Sequence, residues 1–162
     1  MMAQYKLDIK KDQVIQQIGD IIQDCAIRSE VFMGASQVVQ DLINRGYAVD
    51  ICSNSSGNDK TKELADVYRA KGPGFTYVDD IVLLPPDVSK KESYRKLSSG
   101  YNKTYVVDDS MRNIHEAAMA SLQPVLITQK SKDMAIAKRD FGALVFSNVI
   151  EFWKYLVIQE RR

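Results

Sequence analysis

Two adjacent carboxylates, Asp108 and Asp109, close the apolar run Tyr105, Val106 and Val107. Acids side by side repel unless a cation or a shared proton relieves them, so a divalent-metal site is the first chemistry this doublet suggests. Its place in the chain points the same way, because the carboxyl end of a parallel strand is where open α/β sheets hold ligands. An aspartate pair also serves as turn and helix cap, and on these residues alone that alternative stays open. Ser110 follows as a cap for a helix whose inner face is Met111, Ile114, Ala117 and Ala118.

Two other polar groups sit at similar junctions. The apolar run Tyr47–Cys52 gives way to a loop of small polar residues, Ser53 to Asn58, and strand, polar loop, helix is how a βαβ unit opens. In SKKESYRKL, Ser89 and Glu92 have capping-box spacing, which predicts a helix from Lys90. Lys90 and Lys91 then oppose the helix dipole in its first turn. An anion held there would offset that cost, and so would simple exposure to water. His115, the only histidine, reads as a surface or packing residue.

The elements that must position these groups alternate along the chain. Residues 4–9, QYKLDI, read as a short strand, and Val14, Ile15, Ile18, Ile21, Ile22 and Cys25 recur behind it at helical spacing. Ser36 is the expected cap of a helix with the inner stripe Val38, Val39, Leu42 and Ile43, stopped by Gly46. After the strand Tyr47–Cys52 come a helix from Asp59 to Ala70, ended by KGPG, and a strand Asp80–Leu84 closed by Pro85 and Pro86. Gly100 turns the chain into the acidic strand and its helix. A strand Pro124–Thr128, a short helix Lys132–Lys138, an edge strand Leu144–Phe146 and a closing helix Val149–Ile158 complete the pattern. The closing helix carries Phe152, Trp153, Tyr155, Leu156, Val157 and Ile158, more apolar surface than one packing seam needs. Core packing accounts for most of it, and a partner groove or homodimer contact is the second reading.

A chain of 162 residues that is 45% hydrophobic and 27% charged can bury one substantial core and is too short for two ordinary domains. A net charge of +1 steers it toward neither nucleic acid nor an anionic membrane. There is no apolar run of membrane-spanning length, and the polar start MMAQYKLDIKKDQ lacks the apolar core of a secretion signal. Cys25 and Cys52 have no metal-type spacing and suit buried thiols of a reducing compartment. The expectation is a cytoplasmic protein. No glycine-rich dinucleotide fingerprint follows a strand, and no phosphate loop ends in Gly-Lys-Ser/Thr.

The alternation predicts an α/β fold, a Rossmann-like three-layer sandwich with a mainly parallel sheet, as one domain over residues 1–162. Three segments in order narrow this further. FMGASQVVQDLINRGYAVDICSNSSG resembles the part of haloacid dehalogenase-like (HAD) phosphatases in which a glycine-containing lead-in and a helix reach a strand ending in Ser or Thr. SKKESYRKL resembles their lysine-bearing helix start, and YVVDDSMRNIHEAAMASLQPVLIT their acidic motif, helix and next strand. The resemblance spans roughly residues 32–128, and the double acid is most similar to the variant in deoxyribonucleotidases and polynucleotide-kinase phosphatase domains.

That resemblance implies roles. Ser53 would donate to a substrate phosphate with help from the backbone amides of Asn54 and Ser55, and Lys90, or failing it Lys91, would hold the same phosphate. Asp109 would contribute to Mg²⁺ binding with Asp108 beside it, and Asn113 would brace the loop. Such groups suit phosphoryl transfer, which needs positioning donors and cations more than covalent machinery. The family's opening motif is a strand ending in Asp-x-Asp, nucleophile then acid/base, with little or no cap domain expected at this spacing. Here the candidate is KLDIKKD, which makes Asp8 the nucleophile and a third metal ligand but puts Lys10 where the second aspartate belongs.

Lys10 cannot act as a carboxylate and at an ordinary lysine pKa is a poor acid at neutral pH. Losing acid/base help costs about a hundredfold to ten-thousandfold in rate. The expected function is therefore a HAD-like domain with a degenerate nucleophile motif, weak or inactive, binding a phosphorylated ligand or a protein. The alternative is a Mg²⁺-dependent phosphomonoesterase using Asp8. Net charge gives no support to the nucleic-acid substrate that the deoxyribonucleotidase-like acids suggest.

Overall fold

The structure, a computed structural model, describes residues 34–54 and 61–160. The strand expected at 4–9 and the helix expected through Cys25 lie outside the described residues. The first described helix, α1 (Ala35–Asn44), is capped by Gly34 in the left-handed region rather than by Ser36. Ser36 lies inside the first turn, buried, where its hydroxyl accepts a 3.0 Å bond from the Gly74 N–H. The KGPG segment, expected only to end a helix, thus leads into a 3-10 turn (Pro73–Tyr77) packed on α1.

Strand β1 (Ile51–Ser53) is shorter than the six residues Tyr47–Cys52 suggest. Just before it, carboxylates add to the backbone pairing, in which the Asp79 N–H donates to the Val49 carbonyl at 2.8 Å. Asp79 accepts from the Val49 N–H at 3.0 Å and Asp50 from the Asp80 N–H at 2.9 Å. Helix α2 (Thr61–Ala70) leads through the 3-10 turn to β2 (Ile81–Leu83), which pairs parallel with β1, Ile51 beside Ile81 and Ser53 beside Leu83.

Helix α3 (Lys91–Leu97) connects to the second set of strands, β3 (Tyr105–Asp108), β4 (Gln123–Ile127) and β5 (Leu144–Phe146), all parallel in the order β3-β4-β5. Helices α4 (Met111–Met119) and α5 (Ser131–Phe141) connect them, and α6 (Val149–Gln159) closes the described chain. Pro124 is tolerated inside β4 because its missing N–H would point toward β5, which begins only beside Val125. Among the described residues no helix is long and apolar enough to cross a membrane.

Strand alternation sorts the core into two layers. Val125 packs with Phe152 and Leu156 of α6, against Leu42 of α1 and Tyr105. On the other face Leu126 packs with Ile114 and Ala137, and Val106 with Tyr94, Ala117 and Ala120. Helices therefore cover both faces of a parallel sheet, the sandwich expected from the sequence. His115 is exposed on α4, its ring stacked 5.1 Å from that of Phe141 on α5.

Phe152 is only 3% exposed, and Trp153 is half-buried with its indole N–H donating to Asp41 at 2.6 Å. Those two side chains are engaged within the domain, leaving Ile158 as the exposed large apolar residue of α6. Asp41 also pairs with Arg45, which reaches Glu160 at 3.1 Å. The Trp153 and Arg45 bonds hold the Asp41 carboxyl below its ordinary 3.8, so the clamp contributes stability above that value and loses it as pH falls through the lowered pKa. Trp153→Phe should therefore lose stability near neutral pH, with the gap to wild type closing on acidification. Urea midpoints between about pH 3 and 6 check this, and a gap constant with pH would refute it.

Candidate functional site

Asp108 is the last residue of β3, half-buried, and three donors converge on it. The Lys90 ammonium lies 3.3 Å from Oδ2, Asn113 Nδ2 donates to the same oxygen at 2.9 Å, and the Ser110 N–H donates to Oδ1 at 2.9 Å. Asp109 is exposed, so the two acids do not share one environment. The repulsion expected between them is relieved by protein donors around one and by water around the other. Ser110 stands at the cap position of α4, but its side chain makes no capping bond.

The capping-box spacing predicts a helix that starts at Lys90, with an anion or exposure to water offsetting its charge. Lys90 is instead the N-cap of α3, one residue earlier than the helix itself, and is 4% exposed. Ser89 Oγ accepts from the Lys91 N–H at 3.2 Å, while the Lys90 N–H donates to Glu116 Oε2 at 2.6 Å. Burial pushes the Glu116 carboxyl up, but the Lys90 N–H and Arg112 outweigh it and hold it below its ordinary range. Arg112 also reaches the Pro86 and Val88 carbonyls, and Asn54 Nδ2 donates to the Pro85 and Val88 carbonyls at 2.9 Å each. The loop that presents Lys90 is thus tied down from both β1 and α4.

Glu116 was not legible as a site residue. Its i−4 partner Arg112 is visible in the sequence, but the amide it holds is 26 residues away.

At the end of β1, Ser53 Oγ lies 3.0 Å from the Tyr68 hydroxyl. Burial pushes the neighbouring Cys52 thiol up from its ordinary 9.0, opposed by the Lys90 charge and reinforced by those of Asp108 and Glu116. That proximity sets the ends of β1 and β3 at one rim, where Cys52 and Asp108 line a common cleft. So Ser53, Asn54, Lys90, Asp108 and Asn113 gather there. Asp8 and Ser55 lie outside the described residues.

A magnesium ion needs several oxygen ligands, usually one or two carboxylates with substrate or water. Among the described residues no group of three or more His, Cys, Asp or Glu is placed to hold a metal. Asp108 is already engaged by Lys90 and Asn113, which leaves Asp109 as the doublet's exposed carboxylate. The described residues alone do not fit a metal centre.

The fold matches a solved structure, that of D,D-heptose 1,7-bisphosphate phosphatase from B. bronchiseptica complexed with magnesium and phosphate. The TM-score is 0.64 at 22% identity, over 80% of this chain and 84% of that one. The likeness is one of fold, a Rossmann-like α/β sandwich with parallel strands. No family model and no curated protein sequence matches the chain. The rim lies at the carboxyl ends of the parallel strands β1 and β3, where open α/β sheets hold ligands.

Proposed function

We propose that this HAD-like domain binds a phosphate monoester at the rim formed by Ser53, Asn54 and Lys90, with weak or no turnover. The observation that carries the reading is the pair that buried Lys90 makes with half-buried Asp108 at 3.3 Å, braced by Asn113 at the end of β3. An ammonium has three donors, and one carboxylate oxygen uses only one of them. The Ser53 hydroxyl and the Asn54 amide would supply neutral donors of the kind phosphate oxygens accept. Weak turnover follows from Lys10 standing where the second carboxylate of the nucleophile motif belongs.

The second reading is a Mg²⁺-dependent phosphomonoesterase with Asp8 as nucleophile, and the matched structure favours it by holding magnesium and phosphate itself. In that case Asp8, Asp108 and Asp109 would hold the ion, which would neutralise phosphate charge when bound. Docking of a protein partner or a second copy through α6 is the remaining proposal for its surface.

Inorganic phosphate at about 10 mM, suited to a millimolar Kd, should shift the amide resonances of Ser53, Asn54 and Lys90. Lys91→Met should keep these shifts. Absence of shifts at the rim in the folded protein defeats the binding reading. Mg²⁺-dependent turnover of an aryl phosphate that vanishes in Asp8→Asn would replace it with the second.

A further inference from the structure

Lys90 is fastened at both ends to the same piece of the fold. Its ammonium bonds Asp108 at the end of β3 at 3.3 Å, and its backbone N–H donates to Glu116 Oε2 on α4 at 2.6 Å. A lysine carries its charge on a flexible four-carbon stem, so the place of the ammonium is decided by whatever holds the residue. Helix α3 cannot do this alone. It has seven residues, fewer than the roughly 12–15 an isolated helix needs, and its first N–H groups have no partner inside it. Ser89 Oγ takes the Lys91 N–H and Glu116 takes that of Lys90. One turn on, Tyr94 donates its N–H to the Lys90 carbonyl at 2.8 Å and packs, 5% exposed, with Val106, Ala117 and Ala120.

Glu116 is shaped for that bond. Its side chain is 13% exposed, and Arg112 Nε holds Oε1 at 3.1 Å, which leaves Oε2 to the amide. The bond is shorter than the about 2.9–3.0 Å usual between neutral groups, as a charged acceptor makes it. Both oxygens are engaged by protein donors, so an effect of Glu116 on a ligand runs through Lys90.

We propose that Glu116 is a positioning residue of the phosphate rim, fixing the Lys90 backbone so that the ammonium donors not used by Asp108 stay directed at a bound oxyanion. This inference deepens the phosphate reading and rests on it. Reach and an accepting oxygen are what count. The charge of a nearby carboxylate would by itself repel phosphate, so a role through charge predicts the opposite order of variants.

Glu116→Asp keeps the charge but draws the carboxylate back by one methylene, whereas Glu116→Gln keeps the reach and an accepting oxygen without the charge. The Gln amide nitrogen would face Arg112, whose side chain is 51% exposed and can turn to water. Titration of the full-length proteins with inorganic phosphate, read at the Ser53 and Asn54 amides, should give a Kd about tenfold higher for Glu116→Asp and within about threefold of wild type for Glu116→Gln. Without ligand, the Lys90 amide proton should move upfield in Glu116→Asp, and urea midpoints show that both variants are folded where they are titrated. Tighter binding by Glu116→Gln with Glu116→Asp unchanged would mean that the residue acts as a charge, and overturns the proposal. Equal affinities in all three proteins, or a Lys90 amide that stays put in Glu116→Asp, overturn it as well. Wild-type protein without phosphate shifts would sink the binding reading and this role with it. The ligand-free Lys90 amide separates that failure from a failure of Glu116 to hold the loop.

Discussion

Lys90→Met should lower the unfolding free energy by about 3 kcal/mol and remove the phosphate-induced shifts at the rim. The ammonium side chain is 5% exposed and that of Asp108 15%, so removing Lys90 strands a carboxylate that water reaches poorly. The magnitude sits at the lower end for a broken buried pair because Asn113 and the Ser110 N–H still hold Asp108. The double variant Lys90→Met/Asp108→Leu should recover most of the loss, since an apolar pair of similar volume often matches a buried ion pair. Urea unfolding of the single and double variants decides it. A single variant as stable as wild type would mean that the pair contributes nothing to holding the rim together.

Gly74→Ala should cost about 3 kcal/mol, the upper end for overpacking. A Cβ there would overlap the Ser36 carbonyl oxygen and lie 3.0 Å from the Gln40 nitrogen, both backbone atoms of α1 that cannot swing aside. Gly46→Ala is the control, because a Cβ at Gly46 meets nothing within 4 Å and only its positive φ of 87° is strained, a cost of about 1–2 kcal/mol. Thermal melts of both variants should rank Gly74→Ala as the more damaging. The reverse order would show that the 3-10 turn is not pinned on α1 as described.

The chain from β3 to α6 was largely readable beforehand because its signals are local. Apolar runs such as Val106–Val107 and Val125–Ile127 alternate with helical stripes, and β5 occurs at Leu144–Phe146 as expected. What escaped reading depends on contacts distant in sequence. Ser36 looks like a cap until Gly74, 38 residues on, proves to be its partner. Tyr47–Asp50 reads as strand, yet the Asp79 and Asp50 carboxylates add bonds to the backbone pairing there. At the rim, Ser53, Lys90 and the acids were legible by type, whereas the burial of Lys90 and its anchorage by Glu116 were not, because capping spacing says nothing about a helix packed across it.

The clamp between α1 and α6 has a consequence for how this protein is made. Its contacts join residues 112 and 115 positions apart, so none of them forms until Trp153 and Glu160 have left the ribosome. Such distant closure is slow and late, and until it happens Phe152 and Leu156 cannot shield Val125 and its neighbours. A nascent chain stalled shortly before Val149 would hold a nearly finished sheet with one oily side bare, the form most open to chaperones and proteases.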